Sequence, residues 1–149
     1  MIPEKKINSM QELIETYIHK GDGYNPFFIK NDWQVAQLNY VKEQDLENIT
    51  KMDMHLLTDE IFILLKGNAV LIGAAEEGDM LIFECKKMLP GITYNIPVNT
   101  WHNIAMDKEA SMIIVEKSNT HLDDFVFRQL DAKENERLNS QIIDAVYGR

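Results

Sequence analysis

The chain has 149 residues, 45% of them hydrophobic, which suits one domain with a real core and argues against a disordered chain. Its formal charge is −9 with no cluster of lysine or arginine, so binding to nucleic acid or to an anionic membrane is not expected and a small-molecule partner is. Cys85 is the only cysteine, which excludes an internal disulfide, and no apolar stretch reads as a signal peptide or a membrane span, so cytoplasm is the expected location.

Residues 9–20 read as a helix: Ser9-x-x-Glu12 forms a capping box, and Met10, Leu13, Ile14, Tyr17 and Ile18 share a face that would pack on the rest of the fold or on a partner subunit. Gly21 and Gly23 end it. From Trp33 onward the pattern shortens to runs of strand length, at 33–41, 48–56, 60–66, 69–75, 80–87, 93–97, 101–106, 111–117 and 125–130. Turn signals separate them, among them Lys66-Gly67-Asn68, Glu76-Glu77-Gly78-Asp79, Leu89-Pro90-Gly91 and Asp107-Lys108-Glu109. So many short strands in one small chain predict an all-β sandwich or barrel. Within the run at 80–87, Cys85 reads as a small buried hydrophobe rather than a reactive thiol. Residues 131–147 return to a helical period, with Leu138, Ile142, Ala145 and Val146 on one face and Asp131-x-x-Glu134 as a second capping box. No repeat or linker interrupts the chain, so residues 1–149 read as a single domain with a helix at each end.

Two segments carry chemistry. The first runs from Asp53 to Gly67, the second from Gly91 to His102, and between them they place His55, His102 and the carboxylates of Asp53 and Glu60 at spacings that strands could fold around one ion. Asp53 and His55 are two residues apart and would share one face of a strand; Glu60 follows the turn at Thr58-Asp59, and His102 opens the strand 101–106 after the bend at Pro97 and Asn99. Imidazole nitrogen and carboxylate oxygen together suit a borderline divalent ion. His19 and His121 have no such context and read as surface residues.

The spacing resembles that of the cupin superfamily, whose first motif is G-x5-H-x-H-x(3,4)-E-x6-G and whose second is G-x5-P-x-G-x2-H-x3-N. Here they stand as Asp53-x-His55-x4-Glu60-x6-Gly67 and Gly91-x5-Pro97-x-Asn99-x2-His102, in the same order. Four positions depart: Glu47 stands for the first glycine, Asp53 for the first histidine, Asn99 for the glycine of the bend and Met106 for the final asparagine. Asn99 is a mild change, since asparagine tolerates positive φ. Asp53 alters the charge and softness of the site, and without it His55, Glu60 and His102 remain as a two-histidine, one-carboxylate set.

The resemblance implies a double-stranded β-helix, or jelly-roll barrel, and a divalent metal ion as cofactor: Mn, Fe, Ni, Co or Zn. It implies Asp53, His55, Glu60 and His102 as the metal ligands, with Glu60 the ligand that also exchanges protons. Alternation from Glu60 puts Phe62 and Leu64 in the pocket; alternation from His102 adds Thr100, Ile104 and Met106, with Tyr94 and Trp101 near the mouth. Isomerase-type or dioxygenase-type chemistry on a small polar metabolite follows from the resemblance, and the alternative is a protein that binds or senses such a molecule without turning it over. Ile61 to Leu65 is apolar on both faces, which together with the resemblance predicts a homodimer.

Overall fold

The computed structural model describes residues 13–148. Ten strands dominate it: β1 (Tyr24–Ile29), β2 (Gln34–Asn39), β3 (Lys51–Met54), β4 (Glu60–Lys66), β5 (Ala69–Glu77), β6 (Met80–Lys87), β7 (Thr93–Ile96), β8 (Trp101–Met106), β9 (Ser111–Glu116) and β10 (Val126–Gln129). The α-helices among the described residues are one short turn, α1 (Thr120–Asp123), and the longer α2 (Ala132–Tyr147), with a 3-10 turn at Lys42–Gln44. The strands form two five-stranded antiparallel sheets, one in the order β1-β2-β9-β4-β7 and the other β10-β3-β8-β5-β6.

Alternation explains how these layers pack. On β4 the residues Glu60, Phe62 and Leu64 are buried while Ile61 and Ile63 are half-buried. Phe62 and Leu64 join Leu38, Leu71, Ile104, Met106, Met112 and Ile114 in one core built from both sheets. The strand β5 contributes its other face, Val70 and Ile72, to a second core with Met52, Leu81, Leu138 and Ile142. β5 is therefore apolar on both faces because each is covered, one by the opposite sheet and one by α2. Full burial of Leu138 and Ile142 is worth about 1.5–3 kcal/mol each, which fixes α2 to the second sheet.

Local signals set the ends of these elements. Asp131 accepts the Glu134 N–H at 2.8 Å and Glu134 accepts the Asp131 N–H at 3.1 Å, the reciprocal capping box predicted for α2. At the β4–β5 turn Gly67 has φ +79°, and an added Cβ would lie 2.4 Å from the Ala110 backbone, so this turn requires glycine. The bend before β8 places Asn99 at φ 63°, the positive value expected of that position.

The amino-terminal helix predicted over 9–20 is not found where it can be tested. Residues 9–12 lie outside the described part, and 13–20 hold a bend followed by irregular chain. That segment instead hydrogen-bonds along β2, through His19 N–H to Gln37 and Asn39 to His19 O. Tyr17 lies edge-on to Phe28, so its ring docks on β1 rather than on a helical stripe. Strand β1 itself was not predicted. Pro26 masked it, yet β1 is an edge strand, where a missing N–H is tolerated, and its pairing with β2 shifts register between Asn25 and Phe28.

Candidate metal centre

The site is assembled by four strands and the loop between β3 and β4. β3 pairs with β8 so that Asp53 faces His102, and β4 pairs with β9 so that Glu60 faces Glu116. His55 lies just past β3. The Asp124 carboxylate accepts the Leu56 and Leu57 N–H groups at 2.8 and 3.0 Å, and the Asn99 N–H donates to His55 O at 2.8 Å, so the chain on both sides of the imidazole is tied down.

The two rings are oriented alike. His55 Nδ1 meets Asp124 O at 2.6 Å and His102 Nδ1 meets Thr100 O at 2.9 Å, so each Nδ1–H is committed to a carbonyl. Each Nε2 then points at the same oxygen, Glu60 Oε2, at 2.7 Å from His55 and 2.8 Å from His102. Three lone-pair atoms converge this closely only with positive charge between them, either a proton on each ring or one metal ion. His55, Glu60 and His102 each offer a ligand atom within 4.8 Å of the others, as the sequence spacing predicts. Carbonyl-anchored histidines with free Nε2 atoms are the usual presentation of metal-binding imidazole, and the donor set fits a divalent ion.

The electrostatics describe the protonated alternative. Burial would lower His55, but its hydrogen bond to Glu60 and the charge of that carboxylate raise it to about 9. His102 is raised for the same reasons, against its own burial. Burial would raise Glu60, yet hydrogen bonds from His102 and His55 hold it at about 2. The cluster therefore binds positive charge strongly.

Asp53 lines the same cavity without joining the three-residue group. Its Oδ1 is buried and makes no hydrogen bond, and burial raises its pKa, with the charges of His102 and Lys51 opposing.

The cavity holds about 230 Å³ and is lined by Asp53, His55, Glu60 and His102 together with Leu38, Phe62, Ile104, Ile114, Phe125 and Phe127. Of the predicted lining, Phe62 and Ile104 are there; Leu64, Tyr94, Thr100, Trp101 and Met106 are not. Leu64 and Met106 do face inward, but the core closes over them, at 1% and 0% exposed, before the cavity is reached. Tyr94 spends its hydroxyl on the Leu89 N–H at 2.9 Å, Thr100 offers its carbonyl to His102, and Trp101 turns to the α2 side of its sheet, its indole N–H reaching Glu76 at 3.3 Å.

Sequence reasoning missed Glu116, Tyr24, Gln34 and His121. Glu116 ends β9 in phase with the buried Met112 and Ile114, so an inward carboxylate was legible in the alternation. Its Oε1 accepts hydrogen bonds from the Tyr24 hydroxyl and from Gln34 Nε2, the latter at 3.2 Å. Its Oε2 is buried, makes no hydrogen bond and lies 3.8 Å from His55 Nε2. Burial and then the Glu60 charge raise Glu116 to about 7, and burial with Glu116 beside it raises the Tyr24 hydroxyl well above its ordinary value. His121, expected at the surface, is half-buried in the cavity wall, its Nδ1 3.2 Å from Gln34 Nε2. Cys85, expected to be buried, is half-buried against the second core, and that burial pushes its thiol up to about 11.

No protein-family model matches the chain, and no curated protein matches it. Solved structures do. BH2720 from Bacillus halodurans is similar over 72% of this chain and 78% of its own, at 13% identity and a TM-score of 0.53. A Streptomyces PAC13 variant with uridine is similar over 72% of this chain and 76% of its own, at 12% identity and a TM-score of 0.50. A cupin-2 domain protein from Shewanella frigidimarina covers 68% of this chain and 84% of its own, at 20% identity and a TM-score of 0.43. At such identities the likeness is one of fold. The chain has a jelly-roll fold similar to that of these structures, with two antiparallel sheets and a His/Glu/His cluster between them.

Proposed function

We propose that this chain is a metal-dependent enzyme that acts on a small polar metabolite with isomerase-type or dioxygenase-type chemistry. The observation that carries the reading is the convergence of His55 Nε2, His102 Nε2 and Glu60 Oε2 in the wall of a partly apolar cavity. A divalent ion held by these three would supply Lewis acidity toward a bound oxygen while leaving positions open for a ligand. The remaining work belongs to the chain. The carbonyls of Asp124 and Thr100 fix the imidazoles, Phe62 and Ile104 exclude water, and Glu60 is the ligating carboxylate best placed to exchange a proton. A cavity of about 230 Å³ is smaller than the roughly 300–1,000 Å³ of drug-sized sites, which favours a small occupant.

Elemental analysis of protein purified without added metal tests this directly. About one divalent ion per chain is expected, lost in His55→Ala and His102→Ala. Asp53→Ala is expected to retain the ion with affinity lowered by about 10–100-fold, the usual effect of a residue that supports a metal site from outside the ligand set. Metal-free protein whose thermal stability ignores added Zn, Mn or Fe would overturn the reading. The non-catalytic alternative draws support from Asp53, which leaves the ligand set one residue short of the cupin motif. A metal-loaded protein that retains a co-purified small molecule unchanged through prolonged incubation would favour it.

A further inference from the structure

Glu116 is built into the cavity more firmly than a bystander needs. The residue is 6% exposed, and Gln34, which donates to its Oε1, is itself fully buried and anchored by the Asn119 N–H at 2.8 Å. The Tyr24 hydroxyl donates to the same oxygen and accepts from Gln34 at 2.9 Å. These bonds leave Oε2 as the free acceptor, buried and without a hydrogen bond. It stands 3.8 Å from His55 Nε2 but outside the group of atoms that could share one ion. An oxygen held there, beside the three atoms that would hold an ion and unsatisfied, lacks only a donor. A buried acceptor left unpaired is unfavourable, so a ligand hydroxyl that reaches it relieves that penalty.

The other walls narrow the class of ligand. Three carboxylates, Asp53, Glu60 and Glu116, line the cavity, and among the described residues no lysine or arginine does. A ligand carrying its own carboxylate or phosphate would meet like charge with no cation to pair except the metal. Leu38, Ile104, Ile114 and Phe125 instead ask for a short apolar body.

We propose that Glu116 is the specificity-determining residue of the site: its Oε2 accepts the hydroxyl of a small, uncharged α-hydroxycarbonyl compound whose neighbouring carbonyl oxygen faces His55, Glu60 and His102. The inference rests on the metal site argued under Proposed function. It adds to that reading the substrate class and the residue that selects it.

The experiment uses the full-length, zinc-loaded protein and three probes: 3-hydroxybutan-2-one, butanone, which lacks the hydroxyl, and lactate, which adds a charge. Affinities are read by saturation-transfer NMR, and zinc content by elemental analysis of the same samples. The expected result is that the hydroxyketone binds about tenfold or more tightly than butanone, as a charge-assisted hydrogen bond provides, and that lactate binds more weakly than the hydroxyketone. Glu116→Ala is expected to erase the preference for the hydroxyl while keeping the wild-type zinc content. The same loss, smaller, is expected in the near-isosteric Glu116→Gln, which guards against a folding defect. Equal binding of hydroxyketone and butanone by wild type, or tighter binding of lactate, would overturn the proposal. So would a loss of zinc from Glu116→Ala matching that of His102→Ala, which would make Glu116 a ligand instead. Wild-type protein that takes up no zinc would overturn the metal reading itself and this inference with it, a result distinct from zinc-loaded protein that fails to discriminate.

Discussion

Glu60 receives two imidazoles on one oxygen, and this arrangement makes the metal-free protein a pH-sensitive object. His55 has a folded pKa of about 9, above its ordinary 6.5, so its contribution to stability is complete below pH 6.5 and disappears as pH rises through 9. Glu60 works in the opposite sense. Its folded pKa of about 2 lies below the ordinary 4.5, so its contribution is complete above pH 4.5 and is lost as pH falls through 2. Glu116, raised to about 7, loses stability between pH 4.5 and 7, which adds to the decline on the alkaline side. Chelator-treated protein is therefore expected to melt at its highest temperature at mildly acidic pH and at progressively lower temperature from pH 6.5 to 9. Added zinc should remove that alkaline decline, because the ion takes the place of the protons and binds better as they leave. A melting temperature that stays level from pH 6.5 to 9 in the chelated protein would show that His55 and Glu60 are not paired. The residues behind this behaviour were legible in the sequence because the motif spacing named them. Glu116 lay outside both motifs and was marked only by its phase with Met112 and Ile114, and Tyr24 lay on a strand hidden by Pro26.

At the scale of elements, α2 shows what local sequence can and cannot reveal. Its boundaries follow from the capping box at Asp131 and Glu134 and from Gly148 at φ 70°. Its partner does not. Only the structure shows that Leu138 and Ile142 cover the outer face of β5, and that Glu134 accepts the Leu81 N–H at 2.9 Å and meets Arg128 at 3.2 Å. Glu134 therefore caps its own helix and the neighbouring strand with one side chain. Asp131→Ala removes only the first function and is expected to cost about 1 kcal/mol, a drop of about 3 °C in melting temperature. Glu134→Ala leaves the Leu81 N–H and Arg128 without a buried acceptor and should cost clearly more than Asp131→Ala. Equal losses measured by thermal denaturation would mean that the contact with β6 contributes nothing. The helix expected over 9–20 carries the same lesson in reverse. Among its described residues, 13–20, the periodic apolar stripe gives no helix, and the chain makes its hydrogen bonds with β2 instead.

For the whole molecule, the two sheets are covered unequally. α2 lies over the outer face of the second sheet, whereas among the described residues no helix packs on the outer face of the first. There Ile61 and Ile63 of β4 stand in register with Val115 and Ile113 of β9, and Val35 of β2 lies beside Val115. All are half-buried in a single chain, and Leu65 at the end of the row is 49% exposed. We propose that this face is covered by a second copy of the chain in a twofold dimer, the commonest solution for an apolar sheet face. The formal charge of −9 per chain opposes that association at long range, and salt screens the repulsion, so the dimer should tighten as ionic strength rises. Sedimentation at micromolar concentration is expected to give twice the 17.3 kDa of one chain. Ile63→Asp should yield a folded monomer, because its side chain meets only the outer face, while Leu64→Asp should fail to fold, because Leu64 is 1% exposed within the core. A wild-type monomer, with Ile63→Asp as damaging to folding as Leu64→Asp, would mean that the chain covers this face by itself.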